Sequence, residues 1–208
     1  MRLRAVDLAC IRAGRVVFEG LQFAVSNGEM LAVTGPNGAG KSSLLRLIAG
    51  LLRPARGRLM LDGGDKELSI GEQAHYVGHQ DACKPSLRVG ENLAFWSGML
   101  GGADAATALA RVGLHALARL PALYLSAGQR RRLALARLLT VRRPIWLLDE
   151  PASALDSAGQ GMLCDIIRAH LADGGLVIAA LHGAMDIAAT QELRLSGAPT
   201  IMELEPVP

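Results

Sequence analysis

A chain of 208 residues, half of them hydrophobic and 20% charged, can build one domain with a sizeable core and is too apolar for disorder. Its net charge of +3, from 22 basic and 19 acidic residues, is too small an excess to argue for nucleic acid. Cys10, Cys83 and Cys164 lie far apart without CxxC spacing, which argues against zinc or redox chemistry and fits small buried hydrophobes in a reducing compartment.

The opening MRLRAVDLACIRAGR has no apolar h-region, and no run approaches the ~18 apolar residues of a membrane helix. The chain therefore reads as soluble, with any membrane role supplied by a partner. Alternation predicts short strands over Leu3–Cys10, Val16–Phe18 and Leu21–Val25, and Asn27-Gly28 is a turn signal. Glu29–Thr34 is a strand feeding a glycine-rich loop. Lys41–Ala49 follows with helical spacing, stopped by Gly50. Arg58–Leu61 and Ala74–Gly78 read as strands, with DGG as a turn between them.

From about Asp81 to Thr140, alanine and leucine dominate and β-branched residues are scarce. This texture predicts a helical insert, with helices near Val89–Leu100, Asp104–Val112 and Ser126–Thr140. Strand texture returns at Ile145–Asp149. A helix over Ser157–Ala172, a strand over Leu176–Ala180, a short helix near Ala184–Thr190 and two weak strands complete the chain. Strands alternating with helices predict an α/β fold with a parallel sheet.

GPNGAGKS, Gly35 to Ser42, satisfies G-x-x-x-x-G-K-[ST] with a strand before it and a helix after it. Gly35, Pro36, Asn37, Gly38, Ala39 and Gly40 would wrap a phosphate with backbone N–H groups at a helix N-terminus. Lys41 would reach the β- and γ-phosphates, Ser42 would ligate Mg2+, and Ser43 would help at the α-phosphate. IWLLDE, Ile145 to Glu150, is a buried strand ending in two carboxylates at the edge where α/β sheets bind ligands. Asp149 is placed to hold Mg2+ through its water shell, and Glu150 to accept a proton from, or orient, an attacking water. The stretch LSAGQ, Leu125 to Gln129, could cover a γ-phosphate with Ser126 and the N–H groups of Ala127 and Gly128. Taken alone it reads as an ordinary N-cap with a basic helix behind it.

In order, the chain reads GPNGAGKSS, YVGHQ, LSAGQRRRLALARLL, IWLLDEPASALD and ALHG. This ordered set resembles the nucleotide-binding subunit of ATP-binding cassette (ABC) transporters over essentially the whole chain. The resemblance implies a P-loop NTPase fold, with a RecA-like, mostly parallel sheet and an N-terminal antiparallel β-subdomain. It implies one domain over residues 1–208, with 81–140 as a helical subdomain. It also implies that two copies sandwich two ATP molecules, so that LSAGQ belongs to the partner's ATP. Gln80 matches the glutamine that contacts magnesium or the attacking water and links to the transmembrane subunit. Ser126, Gly128 and Gln129 match the signature. Ser153, Ala154, Leu155 and Asp156 match the loop crossing the dimer interface, and His182 matches the switch histidine at the γ-phosphate. As bare residues, Gln80 reads as a surface polar group and His182 as a packed loop histidine.

Two departures stand out. Ala127 replaces the commonest second glycine, and IRAGR offers no aromatic for adenine, with Phe18 nearest but misplaced. LSAGQRRRLALARL, YVGHQDACKP, ENLAFW and LACIRAGRVVFEGLQF are similar, more narrowly, to the ATPase subunit of bacterial cytochrome c maturation, a haem-exporter-type assembly. The usual Gln-Pro-Leu after the switch histidine is GAMDI here. This narrower likeness implies integral membrane permease subunits, a peripheral place on the cytoplasmic face of the bacterial inner membrane, and hydrolysis driving release of haem-loaded chaperone. His75, His79, His115, His170 and His182 form no axial-ligand motif, so no direct haem binding is expected. Other readings are another ABC exporter ATPase, or a soluble cassette ATPase of iron–sulfur assembly or nucleic-acid work. Against direct nucleic-acid work stand the short insert and the single cassette. A GTP switch is disfavoured because NKxD is missing. Phe95 and Trp96 suggest that Leu87–Leu100 lines a docking groove for transmembrane subunits; the alternative is that both rings are core of the insert.

Overall fold

The apolar strands order the molecule, because alternate side chains along each one enter different cores. The computed structural model describes residues 1–102, 105–182, 189–196 and, as backbone, 200–201. Strands β1 (Arg2–Arg12), β2 (Arg15–Ser26), β4 (Arg56–Asp62) and β9 (Thr200–Ile201) form an antiparallel sheet in the order β4-β1-β2-β9. Strands β3 (Met30–Thr34), β5 (Ala74–Val77), β6 (Ile145–Asp149), β7 (Leu176–Ala180) and β8 (Gln191–Arg194) form a parallel sheet in the order β5-β6-β7-β3-β8. Helices α1 (Lys41–Ile48), α2 (Val89–Leu100), α3 (Ala105–Arg111), α4 (Ala127–Ala136) and α5 (Ser157–Ala172) flank them.

Leu31, Val33, Ile145, Leu147, Leu176 and Ile178 face one core, shared with α1 and the antiparallel sheet. Met30, Trp146, Leu148, Val177 and Ala179 face the other, shared with α2, α4 and α5. A parallel sheet covered on both faces explains why β6 and β7 are buried throughout and apolar up to Asp149 at the end of β6.

Three expectations are adjusted. Val16–Phe18 and Leu21–Val25 are one strand, β2, because pairing with β1 continues across a bulge where Gly20 takes φ 66°. The helix over Ser126–Thr140 is α-helical only to Ala136. Residues 137–139 tighten into a 3₁₀ turn, with the Thr140 hydroxyl donating to the Arg137 carbonyl at 2.8 Å, just before Pro144 ends helical continuation. The helix near Ala184–Thr190 lies, except for its last two residues, outside the described residues, as does GAMDI. Among the described residues, no helix is long and apolar enough to cross a membrane.

Candidate nucleotide-binding and hydrolysis site

The site forms where β3 and β6 end. After β3 the chain turns through Gly35, Gly38 and Gly40 at φ 135°, 80° and 100°, and α1 then begins at Lys41. These glycines are obligatory for two reasons. L side chains rarely adopt this backbone region, and a Cβ on Gly35 would lie 2.2 Å from the Leu195 carbonyl oxygen. Lys41 Nζ donates to the carbonyls of Gly35 at 2.8 Å and Pro36 at 3.1 Å, which folds the ammonium back over the loop. Ala39 is buried, and Ser43 sits half-buried in the first turn of α1.

The period of two along β6 turns Ile145, Leu147 and then Asp149 toward α1. The result is a direct contact: Ser42 Oγ donates to Asp149 Oδ1 at 2.9 Å. Asp149 is only 1% exposed. Its other carboxylate oxygen receives the Tyr76 hydroxyl at 3.4 Å. Burial pushes the Tyr76 phenol up, which keeps it a donor.

Glu150 follows at φ 49°, a strained conformation for a side chain of its size, with its N–H bonded to Ala180 O at 3.0 Å. Its carboxylate lies 4.0 Å from His182 Nε2 and 3.7 Å from His79 Nδ1. His182 Nε2 also hydrogen-bonds Asn37 Oδ1 in the glycine loop. Asn37, Glu150 and His182 therefore converge. His79 was not expected there; its place beside Gln80, two residues beyond the end of β5, the strand that pairs with β6, is the signal that could have marked it. Gln80 is exposed and lines a cleft of about 600 Å³ with Arg46, Tyr76, His79, Trp96 and Arg137.

LSAGQ is a capping box as built. Gln129 N donates to Ser126 Oγ at 3.2 Å, and Ser126 N donates to Gln129 Oε1 at 2.9 Å. Leu125 is buried and Ala127 exposed. Gly128 has no room for a side chain, since a Cβ would stand 2.8 Å from the Ala154 carbonyl. The signature thus packs on the loop Ser153–Asp156. In that loop Ala154 takes φ 62°, Leu155 is buried, and Ser153 N bonds Glu150 O at 3.1 Å. Asp156 caps α5 through Gly159 N at 2.8 Å and pairs with Arg132 at 2.7 Å; the cap first, then Arg132, holds its carboxyl below the usual range. Phe18 turns out to stand beside the loop, with Val17, against Gly40.

Residues 18–153 match the ABC transporter family. The chain belongs to this family. As an ABC ATPase subunit it is 58% identical, over 95% of this chain and 100% of the relative, to the cytochrome c biogenesis ATP-binding export protein CcmA of Nitrobacter winogradskyi. Identity is 61%, over the same shares, to the protein of that name from Rhodopseudomonas palustris strain BisB18. The ABC fold superposes on the dimeric post-hydrolysis structure of the ATP-binding cassette MJ0796 bound to ADP and Pi. The TM-score is 0.80 at 23% identity, covering 94% of each chain.

Proposed function

We propose that this chain is the ATP-hydrolysing subunit of a membrane ABC complex of cytochrome c biogenesis, the haem-exporter type. It works as a pair of copies bound peripherally at the cytoplasmic face of the bacterial inner membrane. The observation that carries the hydrolytic part is the 2.9 Å contact of Ser42 with Asp149. It brings the glycine loop and the acidic strand end to one point, with Glu150 next in the chain. The biogenesis branch rests on the 58–61% identity to proteins of that name.

Lys41 and the loop N–H groups bind the β- and γ-phosphates. Glu150, flanked by His182, orients water and accepts its proton. Gln80 approaches from the cleft side. Magnesium fits Ser42 and Asp149: both offer hard oxygens, and among the described residues the buried Asp149 carboxylate is hydrogen-bonded only by hydroxyls. When bound, it neutralises charge on the β- and γ-phosphates. Ser126 bonds within its own cap and Ala127 is exposed, which leaves the signature to face a second copy's nucleotide.

Membrane docking goes to α2. Phe95 is 44% exposed and Trp96 half-buried on the cleft, so the two rings are not the core of the insert. Lys84 and Arg137 lie over their faces at 4.5 and 4.3 Å. The coupled work is release of haem-loaded chaperone on the far side, with no haem held by this chain.

Glu150→Gln tests the chemistry. It should bind ATP, form a stable dimer and lose on the order of a hundredfold or more in turnover. Normal turnover would overturn the assignment of Glu150. The same variant, captured with ATP from solubilised native membranes, should bring haem-handling subunits with it. A different permease would discard the haem branch, and no membrane protein at all would favour a soluble cassette ATPase.

A further inference from the structure

Arg131 is a full guanidinium buried in the middle of the molecule, and every one of its donors is spent. It lies on α4, five residues after Ser126, and is 1% exposed. Nε donates to Pro151 O at 3.1 Å. One terminal nitrogen donates to Asp149 O at 2.7 Å and Glu150 O at 2.8 Å. The other donates to Gly78 O at 2.8 Å and to Asp81 Oδ1 at 3.1 Å. A guanidinium has five N–H bonds, and all five are satisfied.

The choice of partners is what matters. Asp149 O and Glu150 O belong to the peptide planes on either side of Glu150, and fixing both planes fixes where the Glu150 side chain leaves the backbone. Glu150 sits at φ 49°, and such a conformation persists only when its surroundings over-determine it. Gly78 and Asp81 bracket Gln80. One side chain therefore grips the two segments that carry Glu150 and Gln80. It does so from the helix whose first turn is the signature.

Stability alone does not account for this arrangement. A buried ion pair is weak evidence of stabilisation, since a well-packed apolar side chain commonly does as well. A lysine would keep the charge but cannot present five donors in a fixed fork.

We infer that Arg131 is a positioning residue for ATP hydrolysis: it sets the backbone of Glu150 and the Gln80 turn as one unit, and ties that unit to the signature helix of the same copy. The inference rests on Glu150 being the catalytic carboxylate.

The test is a double-mutant cycle on the purified full chain, with kcat and KM for ATP measured for Arg131→Lys, Glu150→Gln and the pair. Arg131→Lys should lower kcat on the order of a hundredfold with KM changed by less than about twofold, because the glycine loop is untouched. In the Glu150→Gln background, Arg131→Lys should cost far less, since the carboxylate it positions is gone and only the Gln80 turn remains to be set. Equal fractional losses in both backgrounds, or full turnover in folded Arg131→Lys, would overturn the inference. Asp81→Asn covers the case in which Arg131→Lys does not fold, because Asp81 is the partly exposed end of the network. It should lower kcat by about fivefold at constant KM, with the same non-additivity; unchanged kcat there counts against the inference. A Glu150→Gln protein that turns over normally would instead refute the assignment of Glu150, whatever Arg131→Lys does.

Discussion

His75 gives the acid stability of the site a calculable slope. It lies on β5, directly before Tyr76, and its Nε2 donates to Val141 O at 2.8 Å. Burial, reinforced by Arg143, Arg137 and His170 and opposed by the Val141 carbonyl, drops its pKa from 6.5 to about 4. The folded protein thus holds a neutral imidazole while the unfolded chain takes up a proton below pH 6.5. Folded stability is complete above that value and falls as pH drops toward 4. The difference between the two titrations amounts to about 2 kcal/mol at pH 5. Urea unfolding at pH 7.5 and pH 5 measures it, with His75→Gln as the reference, because glutamine keeps an N–H for Val141 O and does not titrate. The wild type should lose about 2 kcal/mol more than the variant over that interval. His170, also lowered to about 4 mainly by burial, is present in both proteins and cancels. Equal losses in the two proteins would refute the reasoning.

Lys41→Ala should weaken ATP binding by on the order of a hundredfold, read by titration with a fluorescent nucleotide, while circular dichroism shows an intact fold. Gly128→Ala gains about 1 kcal/mol of helix propensity but must displace the Ala154 carbonyl, an overpacking cost of about 1–3 kcal/mol. Its melting temperature should therefore stay level or fall, and turnover should drop with it; a rise in melting temperature would contradict the packing argument. Trp96→Ala should leave the ATPase of the purified chain within about twofold and reduce recovery with membranes, assayed by flotation. Unaltered recovery, or a variant that does not fold, would remove α2 as the docking element.

Much of this was legible in the sequence because the chemistry demands short, local patterns. Only glycines turn as Gly35, Gly38 and Gly40 do, and the period of two along β6 carries Asp149 to the face of Ser42. What local pattern concealed was long-range partnership. Arg130-Arg131-Arg132 reads as a basic, solvated helix, yet successive residues on a helix point about 100° apart, so three arginines cannot share one environment. Arg131 stands at i, i+4, i+7 with Leu135 and Leu138, on the buried face. That spacing was the available signal. Phe18 was hidden likewise: its distance along the chain says nothing of β2 passing over Gly40.

The two stretches proposed to face a second copy are in contact with each other within this one. Gly128 touches Ala154, Arg132 pairs with Asp156, and Ser153 N binds Glu150 O. A second copy pressing on the signature or on Ser153–Asp156 therefore pushes on one packed body that ends at Glu150. Close-packed interiors transmit such displacements because they have little room to absorb them. For a pair of copies working as proposed, hydrolysis in one site should then depend on occupancy of the other through the chain's own packing.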